Sequence, residues 1–401
     1  MNVLFAGDLH IDSADIDICS EYLKIVGVAD LSLVSLEAPL TASTKPILKS
    51  GPNLKIRTDV ADRLLKSLPF SLYSCANNHI GDFGEEGVLE TMVFLKQRKK
   101  AFLGAGKNVQ EARKPFLFEK DGQKIAILAM VENEFGVATE CQAGSNGFDP
   151  IKDVLGIREL ASQGYLVMVY FHGGTEFFPL PNPFVIRTFK GFIDAGARIV
   201  VGSHTHCPLG YESYKDGLIF YGMGNFMFNK PAQKTTLELR AKRLIKEKIL
   251  HRKNDNTFWN YGYSVSLAIE ANTMKFQIIP TYCENGALTI PKGKIKERYL
   301  AYLDRISALI KSEVEYARYW SAWVWSRQQH MKTWIRDSKY LQNSNPAKFR
   351  RALGFKNMFT CESHREVTVS SYHLDVGADF KKDYLKVKIL RDSEAQLKTK
   401  A

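Results

Sequence analysis

Short apolar runs alternate with amphipathic stretches over the first two-thirds of the chain. That alternation predicts βα units built around a buried sheet. Expected strands are Val3–Ala6, Leu31–Leu36, Phe70–Cys75, Phe116–Glu119, Ile125–Met130, Leu166–Phe171, Ile199–Val201, Leu218–Tyr221, Ser264–Ile269 and Lys275–Ile279. Several are unbroken Val/Ile/Leu runs, the pattern of strands covered on both faces. Amphipathic stretches place helices over Ser13–Val26, Asp59–Ser67, Glu85–Arg98, Ile151–Ser162 and Pro183–Ala195. Asp121-Gly122 and Asp216-Gly217 carry hairpin-turn chemistry. After about Pro291 the pattern turns helical from Glu297 to about Leu341, a stretch holding Trp320, Trp323, Trp325 and Trp334. These tryptophans read as a packing face, with Arg318, Arg327, Lys332 and Arg336 on the solvated side. Beyond Asn343-Ser344-Asn345-Pro346 the periodic signal fades, and Arg391–Ala401 reads as a polar, frayed end. The expected organisation is an α/β domain over residues 1–290 followed by a helical, basic, aromatic extension over 291–401.

Composition narrows the class. With 45% hydrophobic and 24% charged residues the chain is globular. No run approaches the ~20 apolar residues needed to span a bilayer. Met1 to Asp8 has no basic leader and only a short apolar stretch, so it reads as a first strand and not a secretion signal. The six cysteines are scattered singly with no paired spacing, which suits unpaired thiols in a reducing compartment. Cys207 stands out because it directly follows His206. The expectation is a cytoplasmic protein. The net charge of +12 sits mostly in the tail, where residues 291–401 hold 23 Lys/Arg against 12 Asp/Glu. The stretch Lys234 to Lys253 is also strongly basic. A basic face suits a nucleic acid, an anionic lipid surface or an acidic polymer, and charge alone does not choose among them.

The chemistry-bearing residues fall in one kind of place. Asp8 and His10 follow the first apolar run; Glu37 ends Leu31–Leu36; Asn77-Asn78-His79 follow Phe70–Cys75. His172 ends Leu166–Phe171, and His204 and His206 follow Ile199–Val201. Ligands of open α/β sheets gather outside the carboxyl ends of strands, so five strand ends aim carboxylate, amide and imidazole groups at one region. Each piece alone has an ordinary explanation as a cap or a satisfied structural histidine. In His204-x-His206, alternate residues of an extended segment share a face. Together the pieces point to a metal site.

The ordered set Asp8-Leu9-His10, Asn78-His79, His172 and Ser203-His204-Thr205-His206 resembles the motifs of calcineurin-like metallophosphoesterases. The chain is more similar still to the bacterial capsule and poly-γ-glutamate synthesis (CapA-type) family. The carrying segments are Ser35-Leu36-Glu37-Ala38-Pro39-Leu40, Ala76 to Gly84, Gly104-Ala105-Gly106, His172-Gly173-Gly174-Thr175-Glu176, Gly196 to His206 and Tyr221 to Phe226. The resemblance covers about residues 1–280. It implies a four-layer α/β/β/α sandwich with two adjacent divalent metals. It assigns Asp8, His10 and His206 to the first metal, Asn78, His172 and His204 to the second, and Glu37 as the bridge. His79 would be the general acid near the leaving group and not a ligand.

These roles cohere physically. Two metals clamp the attacking and leaving oxygens of an in-line displacement and acidify a water. An imidazole can protonate a departing alkoxide. Mixed nitrogen and oxygen donors suit Mn, Fe or Zn over Mg or Ca, and the resemblance adds to a preference for Mn²⁺. The chain departs from the broader phosphoesterases in using Glu37 where Asp is usual, and Asn77-Asn78-His79-Ile80 at the amide motif; both match the capsule-type pattern. Many capsule-type members lack the histidine that is His10 here, so its presence favours a working first site. Secondary candidates are Asp82 and Glu176, orienting His79 and His172, Asn225 lining the site, and Lys55 and Arg57 holding a substrate phosphate.

The leading reading is a phosphoester hydrolase acting on a phosphorylated glycan, a lipid-linked intermediate or a small molecule in capsule or surface-polysaccharide production. Its basic tail would dock peripherally on the inner membrane or on an acidic polymer. A non-catalytic accessory of a polymer-synthesis complex is the second reading. A nuclease is disfavoured for want of any nucleic-acid module.

Overall fold

Successive residues of the first strand, Asn2–His10, point into two different cores. Val3 and Phe5 join one buried cluster, while Leu4 and Ala6 join the other. This is the period-2 consequence of a pleated strand with both faces covered. The computed structural model describes residues 1–12, 15–229, 258–270, 273–341, 344–374 and 380–397. The basic stretch Lys234–Lys253 lies outside them.

Among the described residues two sheets carry the fold. The first runs in the order Asp17–Ile18, Ala287–Thr289, Thr273–Glu284, Tyr261–Glu270, Asn2–His10, Leu31–Leu36, Leu72–Ser74 and Ala101–Leu103, with Asn225–Phe228 also paired to the first strand. The second runs Tyr211–Tyr214, Gly217–Phe220, Ala197–Ser203, Leu166–His172, Gln123–Val131 and Phe116–Lys120. Their central strands are parallel. The sheets face each other, and the Tyr170 hydroxyl crosses between them to donate to the Ala6 carbonyl at 2.8 Å. Helices Ser20–Gly27, Thr58–Ser67 and Gly84–Gln97 cover the outer face of the first sheet through Tyr22, Val60, Leu64 and Val88. Helices Lys152–Ser162 and Pro183–Asp194 cover the second through Ile157, Val185, Phe189 and Phe192. The expected α/β/β/α sandwich is thus present.

Several local expectations change. The helix expected from Ser13 starts at Ser20, because Asp17–Ile18 pairs as a short strand with Ala287–Thr289, a partner far away in sequence. The strands Ala101–Leu103, Tyr211–Tyr214 and Asn225–Phe228 are too short or too polar to stand out as runs. The expected break at Asn345-Pro346 is a helix start. The Asn345 side chain accepts from the backbone N–H groups of Ala347 and Lys348, and proline fits the first helical turn. Helices therefore continue through Pro346–Thr360, Glu362–Tyr372, Lys381–Arg391 and Ser393–Leu397, so the described part of the expected frayed end is largely helical.

The tail packs on the sandwich. Tyr299, Leu303, Ile306 and Trp323 belong to the same buried cluster as the second sheet. Trp320 and Trp323 lie against Phe178, with ring centroids 5.5 and 5.0 Å away. Arg327 departs from the solvated face expected for it: its guanidinium stacks 3.9 Å from the centre of the Trp323 ring, and burial lowers its pKa to about 10. No helix among the described residues is long and apolar enough to cross a membrane.

Candidate metal centre

The first strand delivers Asp8 through an irregularity. Pairing slips in register beside Asp8 on both neighbouring strands, the kind of bulge that re-aims a side chain. Gly7 permits it. A Cβ there would lie 2.0 Å from the Gly224 carbonyl oxygen, and that oxygen accepts the Asp8 N–H at 3.2 Å.

His204 and His206 converge for a reason other than strand alternation. The strand Ala197–Ser203 ends before them, and both occupy left-handed backbone, with φ of 87° and 52°. Such conformations are costly for residues other than glycine and persist where neighbours over-determine them. Here the Asp8 carboxylate accepts the His204 N–H at 2.8 Å.

Two buried clusters result: Glu37 with His172 and His204, and Asp8 with Glu37 and His206. Glu37 is common to both. One of its oxygens lies 3.7 Å from His172 Nε2, 3.8 Å from His206 Nε2 and 3.9 Å from His79 Nε2. Asn78 joins through its Oδ1, 3.1 Å from His172 Nε2, and His204 Nδ1 lies 3.2 Å from the same nitrogen. Both Glu37 oxygens and Asp8 Oδ1 are buried with no hydrogen-bond partner. Orphaned carboxylate oxygens in a dry interior are costly, and a divalent cation between the clusters would satisfy them. The mixed imidazole, carboxylate and amide donors fit a transition metal.

Electrostatics agree with that fit. Burial, then the neighbouring Asp8 charge, pushes Glu37 well above the carboxylate range. Burial also pushes Asp8 upward, but His172, His206 and the His204 N–H outweigh it and hold Asp8 low. Burial and the two neighbouring imidazoles hold His204 well below its ordinary value, leaving it neutral as a ligand must be.

The other expected residues fall in different places. His10 is buried beside Phe228, ring centroids 5.0 Å apart, and belongs to neither cluster. His79 Nδ1 sits 2.6 Å from Asp82, which orients the ring so that Nε2 faces Glu37. Burial first, then Lys49, lowers His79 to about 4. Asn225 Oδ1 lies 2.8 Å from His206 Nδ1 and orients that ring. His172 Nδ1 is met by the Ser203 hydroxyl at 2.9 Å, the position in which Glu176 was expected; Glu176 is exposed. Lys55 donates to the Ser43 carbonyl at 2.7 Å and lies over the Phe83 ring. Arg57 is exposed and paired with Asp59. Cys207 is buried, with its thiol facing the Phe178 carbonyl and pushed up to about 12 by burial.

Several participants escaped the sequence reading. Lys49 is buried in a loop, ion-paired to Asp82 and 3.1 Å from His79 Nδ1; no local signal marks it. Glu134 accepts from the Asn78 amide at 2.8 Å, and Glu132 accepts the Gly174 N–H at 2.8 Å. Both follow the strand Gln123–Val131. The strand-end rule that found the other residues would have found them.

The family model described as bacterial capsule synthesis protein PGA_cap matches residues 3–230. The capsule biosynthesis protein CapA of Bacillus anthracis is 31% identical over 177 residues, covering 42% of this chain and 42% of that protein. The PGA biosynthesis protein CapA of Bacillus subtilis is 31% identical over 171 residues, covering 42% and 45%. A probable polyglutamine synthesis accessory protein of Mycobacterium tuberculosis is 26% identical over 209 residues, covering 49% and 55%. The chain thus spans about half the length of the curated relatives it matches. Among solved structures, a hypothetical protein from Thermus thermophilus aligns over 70% of this chain and 99% of its own at 15% identity and a TM-score of 0.39. A putative 5'-nucleotidase from Staphylococcus aureus aligns over 76% and 58% at 10% identity and a TM-score of 0.42.

Proposed function

The chain belongs to the bacterial capsule synthesis protein family PGA_cap, and from its buried centre we propose that it is a metal-dependent phosphoester hydrolase serving capsule or surface-polymer synthesis. The observation that carries this reading is Glu37, common to two clusters and with both oxygens unpartnered. Asp8, Glu37 and His206 would hold one ion, and Glu37, Asn78, His172 and His204 the other, Mn²⁺ being favoured. Bound there, a metal pair supplies charge stabilisation for a phosphoryl group and acidifies a water.

The protein's own groups do the rest. Asn225 and Ser203 fix the rings of His206 and His172, and neutral ligand rings are what such partners select. Asp82 takes the Nδ1 side of His79, so Nε2 holds or gives the proton at a leaving oxygen. With its pKa near 4, His79 is neutral before substrate arrives. The negative charge of a phosphoester beside it would oppose Lys49 and favour the protonated ring that a general acid needs. The substrate class is a phosphorylated glycan, a lipid-linked phosphate or a smaller ester.

A second reading, an accessory role without catalysis, is favoured by the name of the Mycobacterium tuberculosis relative. One experiment separates the two: metal analysis of the purified chain, followed by a screen of phosphomonoesters, diesters and sugar phosphates with added Mn²⁺. The expected result is close to two ions per chain and hydrolysis that chelation abolishes. Protein that takes up no metal on reconstitution overturns the hydrolase reading. Protein that binds both ions but turns over no ester leaves the accessory role standing.

A further inference from the structure

Residues beyond 290 lie outside the family match, yet they end against the metal centre. Three consecutive residues, Glu132, Asn133 and Glu134, are each held by the tail. The Glu132 carboxylate accepts the Ser363 N–H at 3.1 Å and the Ser363 hydroxyl at 2.6 Å. The Glu362 carboxylate accepts the Asn133 backbone N–H and side-chain amide, both at 2.8 Å. The Asn357 amide, buried on the helix Pro346–Thr360, donates to Glu134 Oε1 at 3.0 Å and to the Ser50 hydroxyl at 3.2 Å. The other oxygen of Glu134 accepts from Asn78 at 2.8 Å. A small pocket between these parts, with room of only about 10 Å³, is lined by Asn78, Glu132, Glu134, His172, His204 and the tail residue Cys361.

An asparagine side chain has an oxygen end and a nitrogen end of nearly the same shape, and only hydrogen bonds decide which way it points. For Asn78 the decision falls to Glu134. An ionised carboxylate only accepts, so the nitrogen must face it and the oxygen must face His172 and the centre. Glu134 in turn is fixed at its second oxygen by Asn357. We propose that the C-terminal helices are a wall of the metal centre, and that Asn357 and Glu134 are positioning residues that present the Asn78 oxygen to the ion shared with His172 and His204. This rests on the metal-binding reading above.

The test uses the full-length chain loaded with Co²⁺, whose absorption spectrum reports ligand geometry, together with a titration of metal affinity. Asn357→Leu, and Asn357→Asp, which sets a second carboxylate against Glu134, should each weaken one of two ions by about 10–100-fold, the range seen when partners of ligands are lost, and should alter the Co²⁺ spectrum. The double variant Glu134→Gln/Asn357→Asp should recover both readouts. Its new amide at 134 still accepts from Asn78 and now donates to the new carboxylate at 357. Wild-type affinity and spectrum in both single variants, with only thermal stability lowered, overturns the proposal and makes the tail a structural support alone. Single variants that lose the ion with no recovery in the double variant also count against it. Wild-type protein that takes no Co²⁺ at all overturns the metal-binding reading itself.

Discussion

At the scale of single residues, function and stability separate at two positions. His79 faces Glu37 but has its other nitrogen engaged by Asp82. His79→Ala should therefore keep both metals and lose most hydrolysis of esters with poor leaving groups, while activated aryl esters suffer far less. Loss of metal in that variant, read by elemental analysis, would make His79 a ligand. Glu132 makes a different prediction. Burial, then the nearby Glu362 charge, pushes it up to about 8, against the donors of Ser363, Gly174 and Cys361 that favour its ionised form. With a folded pKa above the unfolded value of 4.5, the folded state holds the extra proton between those values. Stability is then highest at low pH and falls as pH rises from about 5 to about 8. The melting temperature of chelator-treated protein should decline over that interval, and Glu132→Gln should flatten the decline. The residues that the structure brings together, Asp8, Glu37, Asn78, His172, His204 and His206, were legible at this scale, since each stands at the end of an apolar run. Lys49 and Asn357 were not, because a loop lysine and a helical asparagine owe their places to contacts across the fold. His10 has the right spacing, but it lies beyond the bulge at Asp8 and joins neither buried cluster.

At the scale of elements, the junction of the first strand with Asn225–Phe228 is the point of least tolerance. Gly7 lets the Gly224 backbone approach where no side chain fits. Gly7→Ala should cost about 1–3 kcal/mol, as overpacking a tight contact does, with a fall in denaturation midpoint and reduced metal content as Asp8 shifts. Unchanged midpoint and metal content would show that the two strands can separate freely. The parallel strands were readable from their apolar runs. The strand Asn225–Phe228 was not, since at 4 residues it is a strand only by pairing with the first one. The turn holding His204 and His206 is hidden in the sequence for a related reason. Its positive φ angles fall on residues other than glycine, and the bond from the His204 N–H to the Asp8 carboxylate comes from a distant strand.

At the scale of the whole molecule, the change of pattern near Pro291 marks where strands give way to helices. The helices after it are no free-standing appendage. Tyr299, Leu303, Ile306 and Trp323 share a core with the second sheet, and removing them would bare Phe178 and Tyr263, both buried in the same cluster. Truncation after Pro291 should therefore yield protein that binds hydrophobic dyes, melts far lower and aggregates. A truncated chain that is monomeric with a wild-type melting temperature would restore the tail to the role of a separable docking module. The tail was readable as helical and aromatic. Its reach to Glu132–Glu134 was not, because hydrogen bonds spanning 229 residues, such as Glu362 to Asn133, leave no trace in local sequence.

That reach fixes an order of events during synthesis. Asp8 and Glu37 leave the ribosome first, and Asn357 and Ser363 more than 300 residues later. A nascent chain made as far as the last strand of the sandwich lacks the partners that lock Glu132 and Glu134. Metal should then load only once the last helices have docked, and not before.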